Sequence, residues 1–205
     1  MSNDGLRSHP KERLLHLLHQ DVIEAAKALL GWNIVTSTTC VQIVETEAYR
    51  TPDDPACHAH RGPTPRTAVM YGPPGFAYVY FTYGHHWMLN VTAHEPGTAA
   101  AVLIRAAKPI SGQVFMQSRR GADIREKNLL SGPGKICQAL GIDRAHNGLN
   151  LFEDPSLQLQ PGVEVGSIVS GVRVGIAAGK GELLPWRFVD EAELAYSSKP
   201  HNTLS

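Results

Sequence analysis

The sequence predicts an α+β fold in one domain, with a mostly antiparallel sheet flanked by helices. Three observations lead there. The 205 residues suit one sizeable hydrophobic core. Apolar and charged fractions are those of an ordinary globular chain. Consecutive β-prone segments are joined by short turns, which favours antiparallel neighbours over a doubly wound sheet.

The elements follow in order. Residues 1–9 are polar, read as a flexible tail and carry no signal-peptide core. Leu14, Leu18, Val22, Ala26 and Leu29 recur at helical spacing through residues 10–31. Asp21 is placed to cap a second helix there, and Gly31 to close it. Residues 32–38 and 41–47 read as a β-hairpin. Residues 50–75 hold six prolines and no periodicity, which marks a shaped binding loop. Three further strands are predicted over 76–83, 86–93 and 99–106. Ser111 is expected to cap a helix over 112–119, residues 121–128 to form a surface loop, and residues 131–141 to enter another helix. Residues 143–160 look irregular, residues 163–177 alternate as a closing strand, and residues 197–205 read as a second flexible tail.

The formal net charge is zero and the pI near neutral, so any nucleic-acid binding must come from a local basic patch. No apolar run is long enough to cross a bilayer. Cys40, Cys57 and Cys137 are few, odd in number and unpaired in pattern, which suits reduced thiols and a cytoplasmic setting.

The chemistry centres on Val44-Glu45-Thr46-Glu47-Ala48-Tyr49. Side chains alternate along a strand, so Glu45 and Glu47 share one face about 7 Å apart. Two like charges there are costly to bury, and such acids cluster at functional sites. The spacing also suits the carboxylate pairs of glycosyl chemistry, and a solvated strand end fits it as well. Tyr78 and Tyr80 share a face of the next strand. With Tyr49 and Tyr83 they form an aromatic set suited to planar, partly polar ligands such as nucleobases. Cys57, His58 and His60, with Cys137 or a carboxylate, form a metal alternative whose spacing fits no zinc template. His85 and His86 read as surface or groove residues. Arg66, Arg105, Arg119 and Lys135 are candidate phosphate contacts; Lys135 follows glycines at a helix start, where free amides favour anions. Ile136 stands where a nucleotide-triphosphate loop needs a hydroxyl, which excludes that loop.

Taken in order, Ile43-Val44-Glu45-Thr46-Glu47-Ala48-Tyr49, His58, Thr64-Pro65-Arg66, Tyr78-Val79-Tyr80, Tyr83-Gly84, Asn90, Leu103-Ile104-Arg105-Ala106, Ser131-Gly132-Pro133, Lys135, Cys137-Gln138-Ala139-Leu140 and Arg173-Val174-Gly175 resemble the alkyladenine (methylpurine, or 3-methyladenine) DNA glycosylase family. The likeness runs from about Leu14 to Phe188. It implies a curved antiparallel sheet similar to the C-terminal domain of formyltransferases. It also implies a monomeric repair enzyme, without metal or organic cofactor, acting on double-stranded DNA that carries damaged purines. Such an enzyme flips out alkylated or deaminated purines (3-methyladenine, 7-methylguanine, hypoxanthine, etheno-adenine) and hydrolyses the N-glycosidic bond. An abasic site remains.

Carried over by position, the resemblance makes Glu47 the base that activates water, with Arg105 and the Val174 carbonyl as further contacts to that water. Tyr49, Tyr78 and Tyr80 stack on or line the base slot with His58, and Asn90 rejects normal guanine. Tyr83 is the wedge. Met70 and Lys135 fall at DNA-contacting positions; Arg66, and His85 and His86 where some relatives carry apolar or aromatic residues, are expected as further DNA contacts. No lysine accompanies Glu47, which argues against a Schiff-base, strand-cleaving route. Other readings from the residues are a metal or carbohydrate hydrolase and a non-catalytic nucleic-acid-binding module.

Overall fold

The computed structural model describes residues 9–82, 84–201 and 204. Tyr83 and residues 1–8 lie outside the described residues, so the wedge and most of the N-terminal tail are not placed.

Two helices open the described chain, α1 (Pro10–Gln20) and α2 (Val22–Ala28). They divide at Asp21, whose carboxylate accepts from the Ile23 amide at 2.8 Å and the Glu24 amide at 3.4 Å. The second helix ends at Leu29, before Gly31. Gly31 serves a different purpose: its φ is +80°, and a Cβ there would sit 2.2 Å from the Val163 carbonyl oxygen.

Among the described residues eight strands then form one curled antiparallel sheet. They are β1 (Asn33–Val35), β2 (Cys40–Arg50), β3 (Ala77–Thr82), β4 (His86–Ala93), β5 (Ala100–Ser111), β6 (Gln158–Gln160), β7 (Ile168–Gly171) and β8 (Arg187–Asp190). The order is β3-β4-β5-β2-β1-β6, with β8 beside the second half of β2 and β7 beyond it. Thus β2 lies between β5 on one edge and β1, then β8, on the other.

Both β2 and β5 are irregular where they face each other. Ile43 pairs with Ala107, Glu45 with Ala106 and Thr46 with Ile104, so Val44 and Arg105 are bulged out. The bulge shifts the period of β2. Ile43 and Ala48, of opposite parity, both reach the helix-side core, and the Thr46 hydroxyl donates to the Ala26 carbonyl of α2 at 2.8 Å. Glu45, Glu47 and Tyr49 are left on the opposite face.

The core lies between the sheet and α1, α2, α3 (Gln113–Arg120) and α5 (Pro133–Leu140), with Leu14, Leu18, Leu29, Ile104, Met116 and Ile136 buried in it. A smaller apolar cluster on the far face gathers Cys57, Met70, Tyr78 and Ala101.

Several local expectations need correction. Ser111 ends β5 and caps nothing; the cap position of α3 is Gly112, where φ is +83° and a Cβ would meet the Thr38 carbonyl oxygen at 2.2 Å. The surface loop over 121–128 gives way to a one-turn helix, α4 (Glu126–Leu129). The irregular stretch 143–160 ends in β6, which pairs with β1. The closing strand over 163–177 shrinks to β7, and β8 supplies the further pairing. The tail expected from Ser197 is packed down at its start, where Ser197 and Ser198 are each 5% exposed, and is exposed over residues 199–201.

A candidate active site

Glu47 lies near the end of β2 and is fully buried. Its Oε2 accepts from the Tyr49 hydroxyl at 2.8 Å and from Arg105 Nη1 at 3.4 Å. Its Oε1 accepts from the Val174 amide at 2.7 Å. The Val174 contact depends on the failure of the predicted strand. Gly175 takes φ +77° and turns the chain away after β7, so the Val174 amide is free to meet a carboxylate. This N–H contact to Glu47 is distinct from the carbonyl contact to water that the resemblance implies for Val174.

Glu45 shares the face, as the alternation predicts, but its partners are its own. Arg187 Nε donates to Oε1 at 2.7 Å, the Ser198 hydroxyl at 2.8 Å, and the Ser198 amide donates to Oε2. Arg105 Nε lies 3.2 Å from Glu45 Oε1, so Arg105 stands between the two acids. Two buried carboxylates are tolerated because two guanidinium groups and several donors surround them.

Tyr49, Arg105 and Val174, the three partners of Glu47, line a cavity of about 390 Å³. That size falls in the range of small-molecule sites. His58, Tyr78, Tyr80, Met70 and Asn90 line it further. The rings of Tyr78 and Tyr80 are 5.3 Å apart, and His58 stands edge-on to Tyr80 at 4.5 Å. His58 Nδ1 is 3.1 Å from the Tyr78 hydroxyl. Burial on its protein side, with Arg66 nearby, pushes the His58 pKa down to about 4, although solvent at its open edge screens part of this. The slot is therefore walled by uncharged rings at neutral pH. Burial and the adjacent Glu47 carboxylate push Tyr49 well above the usual phenol value, so it remains a donor. Asn90 Nδ2 donates to the Tyr78 carbonyl at 3.0 Å, which fixes its amide at the cavity wall.

Behind Tyr49 lies an ion pair whose acid, Asp54, no motif or spacing marked. Arg173 Nη1 and Nη2 clamp Asp54 at 2.6 and 2.8 Å, with both side chains wholly buried. The guanidinium also donates to the Ala48 carbonyl at 2.9 Å and stacks 4.5 Å from the centre of the Tyr49 ring.

The other expected contacts divide. Arg66 stacks over the Tyr80 ring at 4.9 Å. Met70, expected on a DNA-contacting surface, is 2% exposed and packs in the cavity wall. His85 and His86 stack on each other at 4.0 Å, and the His86 ring covers Gly134 so closely that a Cβ there would lie 2.9 Å from it. Lys135 Nζ is held by the Ser131 hydroxyl at 3.0 Å. Arg119 donates to the Ala139 carbonyl at 2.8 Å near the end of α5, a structural use in place of the expected phosphate contact. A basic hollow beside α5 is lined by Arg120, Arg125, Lys127, Lys135 and Lys199. Asp123 lines the same hollow, so its charge is mixed but mostly positive.

The metal alternative finds no assembly. Cys57 and Cys137 belong to different apolar clusters, and burial pushes their thiols to about 11 and about 12. His60 is exposed. Among the described residues no three His, Cys, Asp or Glu side chains converge as ligands. No helix among them is long and apolar enough to cross a membrane.

The family model for methylpurine-DNA glycosylases matches residues 16–193. A protein of Nitrobacter winogradskyi, provisionally named 3-methyladenine DNA glycosylase, is 48% identical over 82% of this chain and 79% of its own. A Methanocella arvoryzae protein of the same name is 43% identical over 82% of this chain and 87% of its own. The DNA-3-methyladenine glycosylase of Arabidopsis thaliana is 43% identical over 90% of this chain and 73% of its own. With the acid, the aromatic slot and the basic hollow on one scaffold, these matches make the chain a member of the methylpurine-DNA glycosylase family, a DNA repair hydrolase of N-glycosyl bonds.

Proposed function

We propose that the cavity takes a damaged purine flipped from double-stranded DNA, and that Glu47 is the base that activates the attacking water. The carrying observation is that the buried Glu47 carboxylate is bonded by Tyr49, Arg105 and Val174, all three of which line the aromatic slot. Flipping costs a few kcal/mol of unstacking, least for a damaged base. Tyr49, Tyr80 and Tyr78 return part of it by stacking, worth about 1–3 kcal/mol per base. Cleavage passes through an oxocarbenium-like state. An ionised Glu47 both orients water and stabilises that positive charge. The Arg105 contact to Glu47, at 3.4 Å, is the longest of the three and the one a water shares most readily.

The proposed substrates are 3-methyladenine, 7-methylguanine, hypoxanthine and etheno-adenine. The cationic methylated bases leave readily and favour the uncharged tyrosine walls through cation–π attraction. Asn90 rejects guanine by crowding its exocyclic amine. The basic hollow and Arg66 follow the phosphate backbone, with His85 and His86 nearby. The enzyme acts as a monomer in the cytoplasm.

The test is incubation with duplexes each holding one candidate base, then alkali to break abasic sites. Breaks at methylated purines and at hypoxanthine are the expected result. Intact strands throughout would overturn the proposal. Breaks before alkali would replace hydrolysis with a strand-cleaving reaction.

A further inference from the structure

One group that holds Arg105 comes from neither β2, which carries both acids, nor β5, which carries Arg105. Arg105 Nε donates to the Ser198 hydroxyl oxygen at 3.0 Å. That hydroxyl donates onward to Glu45 Oε1 at 2.8 Å, and the Ser198 amide donates to Glu45 Oε2. The Ser198 carbonyl accepts from Arg187 Nη2 at 2.7 Å, and the Pro200 carbonyl from Arg187 Nη1 at 2.7 Å. One residue therefore commits its N–H, its C=O and both roles of its hydroxyl to a single buried network. A hydroxyl can accept from a guanidinium while donating to a carboxylate; a methyl group does neither. Ser198 also lies beyond residue 193, where the family match stops.

We propose that Ser198 is a positioning residue for the glycosylase reaction: it orients Arg105 so that Nη1 reaches Glu47 and the water beside it. This rests on the reading that Glu47 and Arg105 serve the chemistry. A bulged arginine, freed from ladder register, has other orientations open to it toward the cavity, and the serine hydroxyl holds one of them.

The test compares Ser198→Ala with Ser197→Ala. The Ser197 hydroxyl donates to the Leu194 carbonyl and meets His201, so it reports on docking of the same segment without touching Arg105 or Glu45. Base release from a methylated duplex is followed in single turnovers, and the maximal rate is separated from the half-saturating enzyme concentration. Ser198→Ala is expected to lower the maximal rate roughly 10-fold, the loss of one hydrogen bond to a charged group, with half-saturation unchanged. Ser197→Ala is expected to keep the maximal rate; Ser197 lines the basic hollow, so its half-saturating concentration is free to rise without bearing on the proposal. If Ser198→Ala does not fold, Ser198→Cys, of similar shape but a weak donor, is expected to show the same split with a smaller loss. A wild-type maximal rate in the Ser198 variant, or an equal loss in Ser197→Ala, would overturn the proposal. A wild-type enzyme that releases no base would instead overturn the reading beneath it.

Discussion

Asp54→Ala should be among the most destabilising single changes in this protein. Asp54 and Arg173 are both wholly buried, and their two contacts are short and parallel. Removing the carboxylate leaves a guanidinium with the Ala48 and Gly181 carbonyls, at 2.9 and 3.3 Å, as its remaining hydrogen-bond acceptors among the described residues, and with its Nε already unpartnered there. It also removes the acceptor of the Ala56 amide, which shapes the loop over the slot. Breaking one side of a buried pair costs about 3–5 kcal/mol, against a total stability on the order of 5–15 kcal/mol. Urea unfolding of the wild type, Asp54→Ala, Arg173→Met and the double variant gives the cycle. The double variant is expected to be more stable than Asp54→Ala alone, because no charge is then stranded and the methionine still packs on Tyr49. A loss under about 1 kcal/mol for Asp54→Ala, the value of an exposed pair, would refute the reasoning. So would a double variant whose loss equals the sum of the singles.

Other consequences follow from the same geometry. Tyr49 stays protonated when folded but ionises near pH 10 when unfolded, so its contribution to stability is lost as pH rises past about 10. Thermal unfolding between pH 8 and 11 should fall more steeply for the wild type than for Tyr49→Phe. The same variant loses a donor to Glu47, and its maximal base-release rate should drop roughly 10-fold. Asn90→Ala should raise release of unmodified guanine relative to methylated purine by about 10-fold, measured as a ratio of specificity constants. Lys127→Ala should lower DNA affinity evenly across sequences and reduce the salt slope of binding by about one.

What the sequence revealed was mostly local. Asp21 divides two helices because a capping carboxylate acts on amides two and three residues on. Glu45 and Glu47 share a face because a strand alternates, and Tyr78 and Tyr80 line one wall for the same reason. The family likeness then pointed to Arg105, Val174 and Asn90. What periodicity could not show were partners 119 to 153 residues away: Arg173 for Asp54, Arg187 and Ser198 for Glu45. A four-residue strand such as β8 carries too little pattern to announce itself, yet it brings Arg187 to Glu45. The bulge at Val44 is equally silent, since a single extra residue leaves the apolar run intact. Val174 reaches Glu47 because the strand expected around it stops at Gly171, which alternation alone argued against.

The most direct measurement is single-turnover base release by Glu47→Gln on a methylated duplex, with binding to an abasic duplex measured beside it. A general base of this kind contributes about 10²–10⁴-fold, so the rate should fall at least about 100-fold while abasic binding is retained. A rate within a few-fold of the wild type, in a folded variant, would show that some group other than this carboxylate drives the reaction.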